Sequence, residues 1–580
     1  MAVEKLIVDH IDTWTTALQT RSTAGRGSSG KIDLYGMKKL RELILELAVR
    51  GKLVPQDPND EPASELLKRI AAEKAELVKQ GKIKKPKSLP EISEGEKPFE
   101  LPERWEWARF ETALDFSGGS QPPKSFFIEE PKEGYVQLIQ IRDLGEYPQP
   151  VYVPINKVTK LCTSEDILIG RYGASVGKVF WGKNGAYNVA LIKIDNSYSL
   201  YNNQFLFWLL KSPLGQNLFS GISRSAQDGF NKSDIAEKLL PVLSEKEQSK
   251  IVVRINDLMS LCDQLEQHSL TSLDAHQQLV ETLLTTLTDS QNADELAENW
   301  ARISEHFDTL ITTEASIDAL KQTILQLAVM GKLVPQAPND EPASELLKRI
   351  AQEKAQLVKD GKIKKQKPLP PISDEEKPFE LPDGWEWSYL QDVTNLITDG
   401  KHGDCLNHDN SGYYFLSAKD IQEGKLSYEH ARQIDKDQFE EVHQRTDLKE
   451  GDICLVNTGA TIGKLALVEN SELASRTTFQ KSVAIIKPTK PYILNLYLYL
   501  YLQSQSEALK KKSGGSAINN LLLGDLKKKL LPVPPLNEQH KIIDNVHSLE
   551  SMLNILKVKI QSAQQTQLHL ADALTDAAIN

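Results

Sequence analysis

Apolar residues recur at alternating steps of four and three positions in two segments that lie far apart in the chain. This heptad spacing, sustained over only a few turns, predicts a short coiled coil. Two such helices in one chain would most simply pack on each other. The alternative is two separate amphipathic helices, each lying on its own domain. The predicted seam consists of Ile251, Ile255, Leu258, Cys262, Leu265, Ile542, Val546, Leu549, Leu553, Leu556 and Ile560.

A long segment of the chain is repeated almost unchanged. Residues 51–107 return as residues 331–387, with roughly four positions in five identical. Helical periodicity predicts a helix over residues 40–49 that ends at Gly51, followed by a second helix that Asp60 would cap. The identity collapses beyond each copy, so a nearly constant helical frame carries two divergent segments.

The divergent segments mix short strand-like runs with one or two helices, which predicts two α+β domains. In residues 166–181 and 452–468, two apolar runs flank a glycine-containing turn that presents Lys178 or Lys464. These turns do not match a phosphate-binding loop, because three residues instead of four separate the glycines and a strand follows. A tight hairpin turn with one lysine and small hydroxyl residues suits a nucleic-acid backbone. The alternative is a plain hairpin turn without a ligand.

Length and residue usage narrow the class of protein. A chain of 580 residues exceeds what one hydrophobic core usually organises, so several domains are expected. No apolar run is long enough to cross a membrane, and the N-terminus lacks the pattern of an export signal. We therefore expect a cytoplasmic protein without a membrane partner. The four cysteines form no CxxC pair, which argues against a disulfide framework and a structural zinc site.

The net charge of −11 is unevenly distributed. Residues 103–240 carry 15 basic and 15 acidic residues, and residues 383–531 carry 18 and 20. Most of the acidity therefore belongs to the predicted helical frame. Lysines 510–512 and 527–529 flank the end of the second divergent segment. Such runs are either solvated faces or groups that neutralise phosphates.

No catalytic or metal site is predicted. His402, Cys405 and His408, together with Asp404, have a spacing compatible with a metal ion, but the chain offers no matching second pair. Neither a nuclease-like arrangement of carboxylates and lysine nor a glycine fingerprint for a methyl donor or dinucleotide stands out.

Over essentially its whole length the chain resembles the specificity subunits of type I restriction-modification systems. The motifs that carry the resemblance are GRGSSGKIDLYGMKKLRELILELAVRGKLVPQ, the repeated NDEPASELLKRIAxEKAxLVKxGKIKK, LPxxWEW, ITDGKHGD, FLSAKDI and PVPPLNEQ. The first divergent segment has FSGGSQPPKSF where the second has ITDGKHGD. The resemblance therefore transfers no loop role from one segment to the other.

The resemblance implies an α+β fold class. Two globular α/β target-recognition domains are separated by long helices that form an antiparallel coiled coil, with an internal pseudo-two-fold repeat. The implied regions are an N-terminal helical region (1–100), a first recognition domain (101–243), a central helical region (244–380), a second recognition domain (381–535) and a C-terminal coiled-coil helix (536–580).

The resemblance also implies a function. The chain would recognise a bipartite, asymmetric target in double-stranded DNA and direct two methyltransferase subunits and the restriction-translocase subunits to it. It would be a non-catalytic subunit of a restriction endonuclease and adenine-N6 methyltransferase complex. S-adenosylmethionine, ATP and Mg²⁺ would belong to the partners, and no cofactor to this chain. The alternatives are a self-contained DNA-modifying enzyme and a helical scaffold that binds proteins only.

The hairpin turns and the lysine run at 510–512 provide the candidate DNA contacts. We expect contacts to bases from the polar residues of the turns and contacts to phosphates from the lysines, because base edges specify sequence and phosphates position the protein. The candidates are Arg171, Tyr172, Ser175, Lys178, Asn457, Thr458, Thr461, Lys464, Lys510, Lys511 and Lys512.

Overall fold

A computed structural model describes residues 3–21, 31–81, 89–196, 198–221, 230–513 and 520–579. The chain divides into two compact units. Unit 1 comprises Met1–Thr20, Ile32–Thr271 and Gln564–Asn580, and unit 2 comprises Arg21–Lys31 and Ser272–Ala563.

The elements up to the first long helix are short except for the two helices of the repeat. The helices are α1 (Val3–Asp9), α2 (Ile11–Thr16), α3 (Tyr35–Val49), α4 (Ala63–Lys79), α5 (Phe110–Ala113), α6 (Asn203–Lys211), α7 (Pro213–Asn217), α8 (Lys232–Ile235) and α9 (Glu245–Asp289). The strands are β1 (Gln19–Arg21), β2 (Lys31–Asp33), β3 (Glu106–Arg109), β4 (Asp115–Gly118), β5 (Tyr135–Ile139), β6 (Tyr152–Pro154), β7 (Leu161–Cys162), β8 (Ile167–Gly170), β9 (Val179–Trp181), β10 (Gly185–Tyr187), β11 (Leu191–Asp195) and β12 (Leu239–Val242).

The remaining elements repeat this order with insertions. The helices are α10 (Ala293–Glu305), α11 (Phe307–Leu310), α12 (Glu314–Val329), α13 (Ala343–Lys359), α14 (Lys436–Thr446), α15 (Ser471–Ala474), α16 (Asn495–Ser504), α17 (Ser506–Ser513), α18 (Leu523–Lys527) and α19 (Leu536–Ile579). The strands are β13 (Glu386–Tyr389), β14 (Thr394–Asp399), β15 (Tyr414–Leu416), β16 (Ile421–Gln422), β17 (Lys425–Leu426), β18 (Ile453–Val456), β19 (Leu465–Leu467), β20 (Thr477–Phe479), β21 (Val483–Pro488) and β22 (Leu530–Val533).

Each recognition domain contains a four-stranded antiparallel sheet with the same topology. Its strand order is β4-β11-β8-β9 in the first domain and β14-β21-β18-β19 in the second. Each domain also contains a parallel pair of strands, β5 with β10 and β15 with β20. The second strand of each pair directly precedes β11 or β21 in the chain. Each domain is also tied by a short antiparallel pair, β3 with β12 and β13 with β22, which joins its first and last strands. The predicted α+β character is thus observed twice.

The predicted frame helices form, and their ends have a steric cause. α3 and α12 both stop just before a glycine in the left-handed region, Gly51 (φ 66°) and Gly331 (φ 71°). A Cβ at either position would also lie 2.5 Å from Cγ of a proline in the following LPxxWEW segment. The predicted cap of α4 is wrong, because Pro62 occupies the N-cap position without a side-chain cap and Asp60 pairs with Lys250 at 3.5 Å.

The two long helices form the predicted antiparallel pair. α9 begins in unit 1 and ends in unit 2, whereas α19 begins in unit 2 and ends in unit 1. The predicted α9 seam, up to Leu265, therefore lies in unit 1, and the predicted α19 seam, up to Ile560, lies in unit 2. In unit 2 the α19 seam shares a buried cluster with residues of α9 that the sequence analysis did not select, Val280, Leu284 and Leu287. In unit 2 the last turns of α9 therefore pack against the first half of α19.

The repeat helices also contact the long helices. Arg41 of α3 pairs with Asp263 of α9 at 2.7 Å. Lys321, at the same repeat position in α12, donates to Asn554 of α19 at 3.0 Å. Ile317, Leu320 and Ile324 of α12 belong to the cluster that buries the α19 seam. Each long helix thus has a repeat helix as a neighbour in the unit that holds its predicted seam, and the α19 seam also packs against α9.

The start of each long helix is bound to its recognition domain by buried hydrogen bonds. Trp105 donates from Nε1 to Glu247 Oε2 at 3.0 Å, and Trp385 donates to Glu538 Oε2 at 2.6 Å. Burial raises the pKa of Glu247. The first tryptophan of each LPxxWEW segment is therefore fixed to the first turn of its long helix.

Candidate nucleic-acid interface

Both predicted hairpins are present and have the same backbone geometry. In the first domain, the amide of Gly170 donates to the carbonyl of Lys178 at 2.9 Å, and the amide of Gly177 donates to that of Gly170 at 3.1 Å. In the second, Val456 donates to Lys464 at 2.8 Å, and Gly463 donates to Val456 at 3.0 Å. A strand follows each turn, so the exclusion of a phosphate-binding loop is confirmed.

The candidate residues of the first turn are only partly available to a ligand. The Arg171 guanidinium donates from Nε to the carbonyl of Phe230 at 3.1 Å and from a terminal nitrogen to Asn231 Oδ1 at 3.1 Å. Ser175 Oγ donates to the carbonyl of Tyr172 at 2.6 Å. Arg171, Tyr172 and Ser175 are half-buried, whereas Lys178 is exposed. Arg171 thus links the turn to the segment that leaves the domain.

The second turn makes an equivalent link with different side chains. Thr458 Oγ1 donates to Asn520 Oδ1 at 3.1 Å, and the amide of Leu521 donates to the carbonyl of Asn457 at 2.7 Å. Asn457 is only 4% exposed, so a base contact from its side chain would require this segment to move. Thr458 and Thr461 are half-buried and Lys464 is exposed.

A second loop lies beside each hairpin turn; its two sequences were aligned in the sequence analysis, but no role was predicted for it. After β4, the amide of Gly119 donates to the carbonyl of Leu191 at 3.0 Å; after β14, the amide of Gly400 donates to that of Val483 at 3.3 Å. Gly119 and Gly400 therefore occupy equivalent positions, although FSGGS and ITDGK differ in sequence. The shared glycine was the available signal.

Sequence comparison gives the family of the chain. A family model described as the type I restriction modification DNA specificity domain matches residues 103–275 and 382–565. The chain belongs to the specificity subunits of type I restriction-modification systems. Such subunits determine DNA target recognition and are non-catalytic members of their complexes, so the self-contained enzyme and the protein-only scaffold have no support.

Two curated relatives agree with this assignment. The specificity subunits of the EcoAI and EcoEI type I restriction enzymes of Escherichia coli are 52% and 48% identical to this chain, each over 100% of both chains. A solved chain from a type I restriction-modification system aligns over 83% of this chain and 99% of its own length, with 16% identity and a TM-score of 0.45.

The remaining candidates in this specificity subunit lie outside the two turns. Lys510 in α17 pairs with Glu507 at 2.5 Å. The side chains of Lys511 and Lys512 lie outside the described residues. The lysine run therefore stays a prediction.

The cluster considered for a metal is organised by hydrogen bonds. His402 Nε2 and Asp399 Oδ2 are 2.9 Å apart, and the Arg432 guanidinium contacts both Asp404 and the carbonyl of Cys405. Burial raises the pKa of the Cys405 thiol. Among the described residues, no group of three or more His, Cys, Asp or Glu side chains could hold a metal ion.

In the part of the chain that the structure describes, no helix is both long and apolar enough to cross a membrane.

Proposed function

We propose that the two recognition domains each bind one half of a bipartite, asymmetric DNA target through the surface around their hairpin turns. The observation that supports this is chemical divergence on a shared backbone. Arg171 and Tyr172 in the first turn correspond to Asn457 and Thr458 in the second, within identical hydrogen-bonding frames. Such a change alters the chemistry presented to the bases while the backbone frame stays the same, and Asn457 would contact a base only if the segment that buries it moved.

The lysines at the ends of the turns are the candidate phosphate contacts. Lys178 and Lys464 follow the second turn glycine at equivalent positions and are both exposed. A residue that is the same in both domains cannot distinguish two half-sites, but it can fix the register of each domain on the duplex. Neutralisation of a phosphate by each lysine would make binding weaker at higher salt.

The duplicated frame is proposed to dock two methyltransferase subunits, with restriction-translocase subunits joining the complex. Two nearly identical surfaces favour two copies of one partner, because equal sequences present equal contacts. S-adenosylmethionine, ATP and Mg²⁺ would then be bound by these partners. The whole assembly would act in the cytoplasm.

Mapping of methylated adenines tests the proposal. The chain is expressed with its methyltransferase partners in a host without other adenine methylation, and genomic methylation is sequenced. A single motif with two unlike halves and a fixed gap is expected. A continuous or symmetric motif would contradict two-domain recognition, and methylation by this chain without partners would contradict a non-catalytic role.

A further inference from the structure

Each recognition domain has a β-turn beside its hairpin turn whose geometry is the same in both domains. The amide of Leu191 donates to the carbonyl of Asn188 at 3.0 Å, and the amide of Val483 donates to that of Gln480 at 3.1 Å. These turns connect β10 to β11 and β20 to β21. Their central residues are 189–190 in the first domain and 481–482 in the second.

The β-turns are bonded directly to the candidate DNA-contacting turns. The amide of Arg171 donates to the carbonyl of Ala190 at 2.9 Å, and the amide of Asn457 donates to that of Ser482 at 3.0 Å. In the second domain the amide of Lys481 also donates to the carbonyl of Lys401 at 3.0 Å. A DNA duplex that contacts the hairpin turn would therefore meet the β-turn as well.

Close backbone packing holds each β-turn in place. A Cβ at Gly119 would lie 2.0 Å from the carbonyl oxygen of Asn188, and a Cβ at Gly400 would lie 1.9 Å from that of Phe479. Real Cβ atoms do not approach this closely, so only glycine permits the contact. A recognition group must be held rigidly to discriminate bases, and this packing supplies that rigidity.

The side chains at the first central position differ in chemistry. Val189 is an apolar residue that remains 42% exposed. Lys481 occupies the same position in the second domain, is exposed, and has no ion-pair partner among the described residues. A valine at this position can contact the 5-methyl group of thymine, whereas a lysine can donate to O6 and N7 of guanine.

We propose that positions 189 and 481 determine base specificity, with Val189 contacting a thymine methyl group and Lys481 contacting a guanine. This inference rests on the proposed function of the two domains. It adds a second recognition element to each domain and assigns it a base.

Base analogues test the two contacts separately in the complex with partner subunits. Each thymine of the first half-site is replaced by deoxyuridine, which removes only the methyl group, and each guanine of the second by 7-deazaguanine, which removes only N7. One deoxyuridine should weaken binding about fourfold, the value of one buried methyl-sized group. One deazaguanine should weaken binding about fivefold, the lower end for a specific base contact.

Substitutions connect these effects to the two residues. Val189→Ala should remove the sensitivity to deoxyuridine, and Lys481→Met should remove the sensitivity to 7-deazaguanine. Matched controls are Ile155→Ala, another exposed apolar residue of the first domain (54% exposed), and Lys436→Met, another exposed lysine of the second; both should keep the sensitivity.

Several results would overturn the inference while leaving the proposed function intact. A split methylated motif without thymine in the half-site of the first domain excludes the assignment of Val189, and one without guanine in the other half excludes that of Lys481. If the Val189→Ala or the Lys481→Met variant keeps its analogue sensitivity, the assignment of that residue is likewise excluded. If Lys481→Met weakens all DNA sequences equally and lowers the salt dependence by about one charge, Lys481 contacts phosphate instead. Absence of a split motif would contradict the proposed function itself.

Discussion

Replacement of Gln539 by alanine should loosen the second recognition domain at its junction with α19. The side chain is fully buried. Its Oε1 accepts from the amide of Leu494 at 2.9 Å, and its Nε2 donates to the carbonyls of Tyr492 and Pro534 at 3.1 and 3.3 Å. The substitution removes this partner from the Leu494 amide and the Tyr492 carbonyl, just before α16, and from the Pro534 carbonyl, just before α19.

The expected cost is about 3 kcal/mol. A buried donor left without an acceptor costs about 1–3 kcal/mol, and the cavity left by the side chain adds roughly 1 kcal/mol. The carbonyls contribute less, because under-satisfied carbonyls are better tolerated than orphaned amides. A change of about 3 kcal/mol corresponds to a factor of about 10² in the opening equilibrium.

Hydrogen exchange of the full chain measures this effect locally. Amides of α16 and β22 should lose protection by about 10²-fold, while those of α6 in unit 1 should not change. Gln248 makes the equivalent three contacts in unit 1, to the amide of Asn202 and the carbonyls of Leu200 and Leu243. Gln248→Ala should therefore lower the protection of α6 and leave that of α16 unchanged.

The neighbouring exposed residue provides the control. His540→Ala changes the next position of α19 without removing a buried bond and should leave α16 protected. Unchanged protection of α16 in Gln539→Ala, or equal losses in both units, would refute the view that this glutamine fixes one domain to its helix.

Three further predictions concern single residues. Arg171→Ala should relax only one half-site in methylation sequencing; loss of both would indicate a folding defect. Ser93 donates from its backbone and side chain to Glu96, holding the pKa of that carboxyl at about 2 instead of 4.5, so Ser93→Ala should raise the pKa in an NMR titration. Because the folded-state value is the lower one, the stabilisation is present above pH 4.5 and is lost as the pH falls towards 2; an unchanged pKa would exclude this role for the hydroxyl. Gly400→Ala should destabilise unit 2 by about 2 kcal/mol in thermal unfolding, since its Cβ would lie 1.9 Å from a backbone carbonyl, whereas Gly524→Ala, with nothing within 4 Å, should not; equal melting temperatures would contradict the steric argument.

Features set by local sequence were predictable. The ends of α3 and α12 follow from glycines that tolerate positive φ, and the hairpins follow from apolar runs around a glycine turn. Helical periodicity identified the frame because each helix buries one face. The family resemblance supplied the arrangement of two domains, which no single segment encodes.

Features set by tertiary contacts were not predictable. Heptad spacing identifies an apolar stripe but not its partner, so the role of Val280, Leu284 and Leu287 opposite the α19 seam was missed. The β-turns at 188–191 and 480–483 depend on close packing against loops distant in sequence. Asn457 is likewise buried and accepts a backbone hydrogen bond from Leu521, a residue that the hairpin pattern does not include.

The distribution of charge agrees with recognition by a few rigid side chains. The recognition segments are nearly neutral, with 15 basic against 15 acidic residues and 18 against 20, so a general positive field cannot supply most of the binding. Under the proposed function, we expect individual lysines to contact phosphates and other side chains to contact base edges, and such contacts require fixed backbone positions. Two features hold the backbone in both domains. The first is the close packing of Gly119 and Gly400, and the second is the buried Glu–Gln pair at the start of each long helix, Glu247–Gln248 and Glu538–Gln539. Under the proposed function, a change of side chain at the tips of the turns alters the recognised base and leaves this backbone frame unchanged.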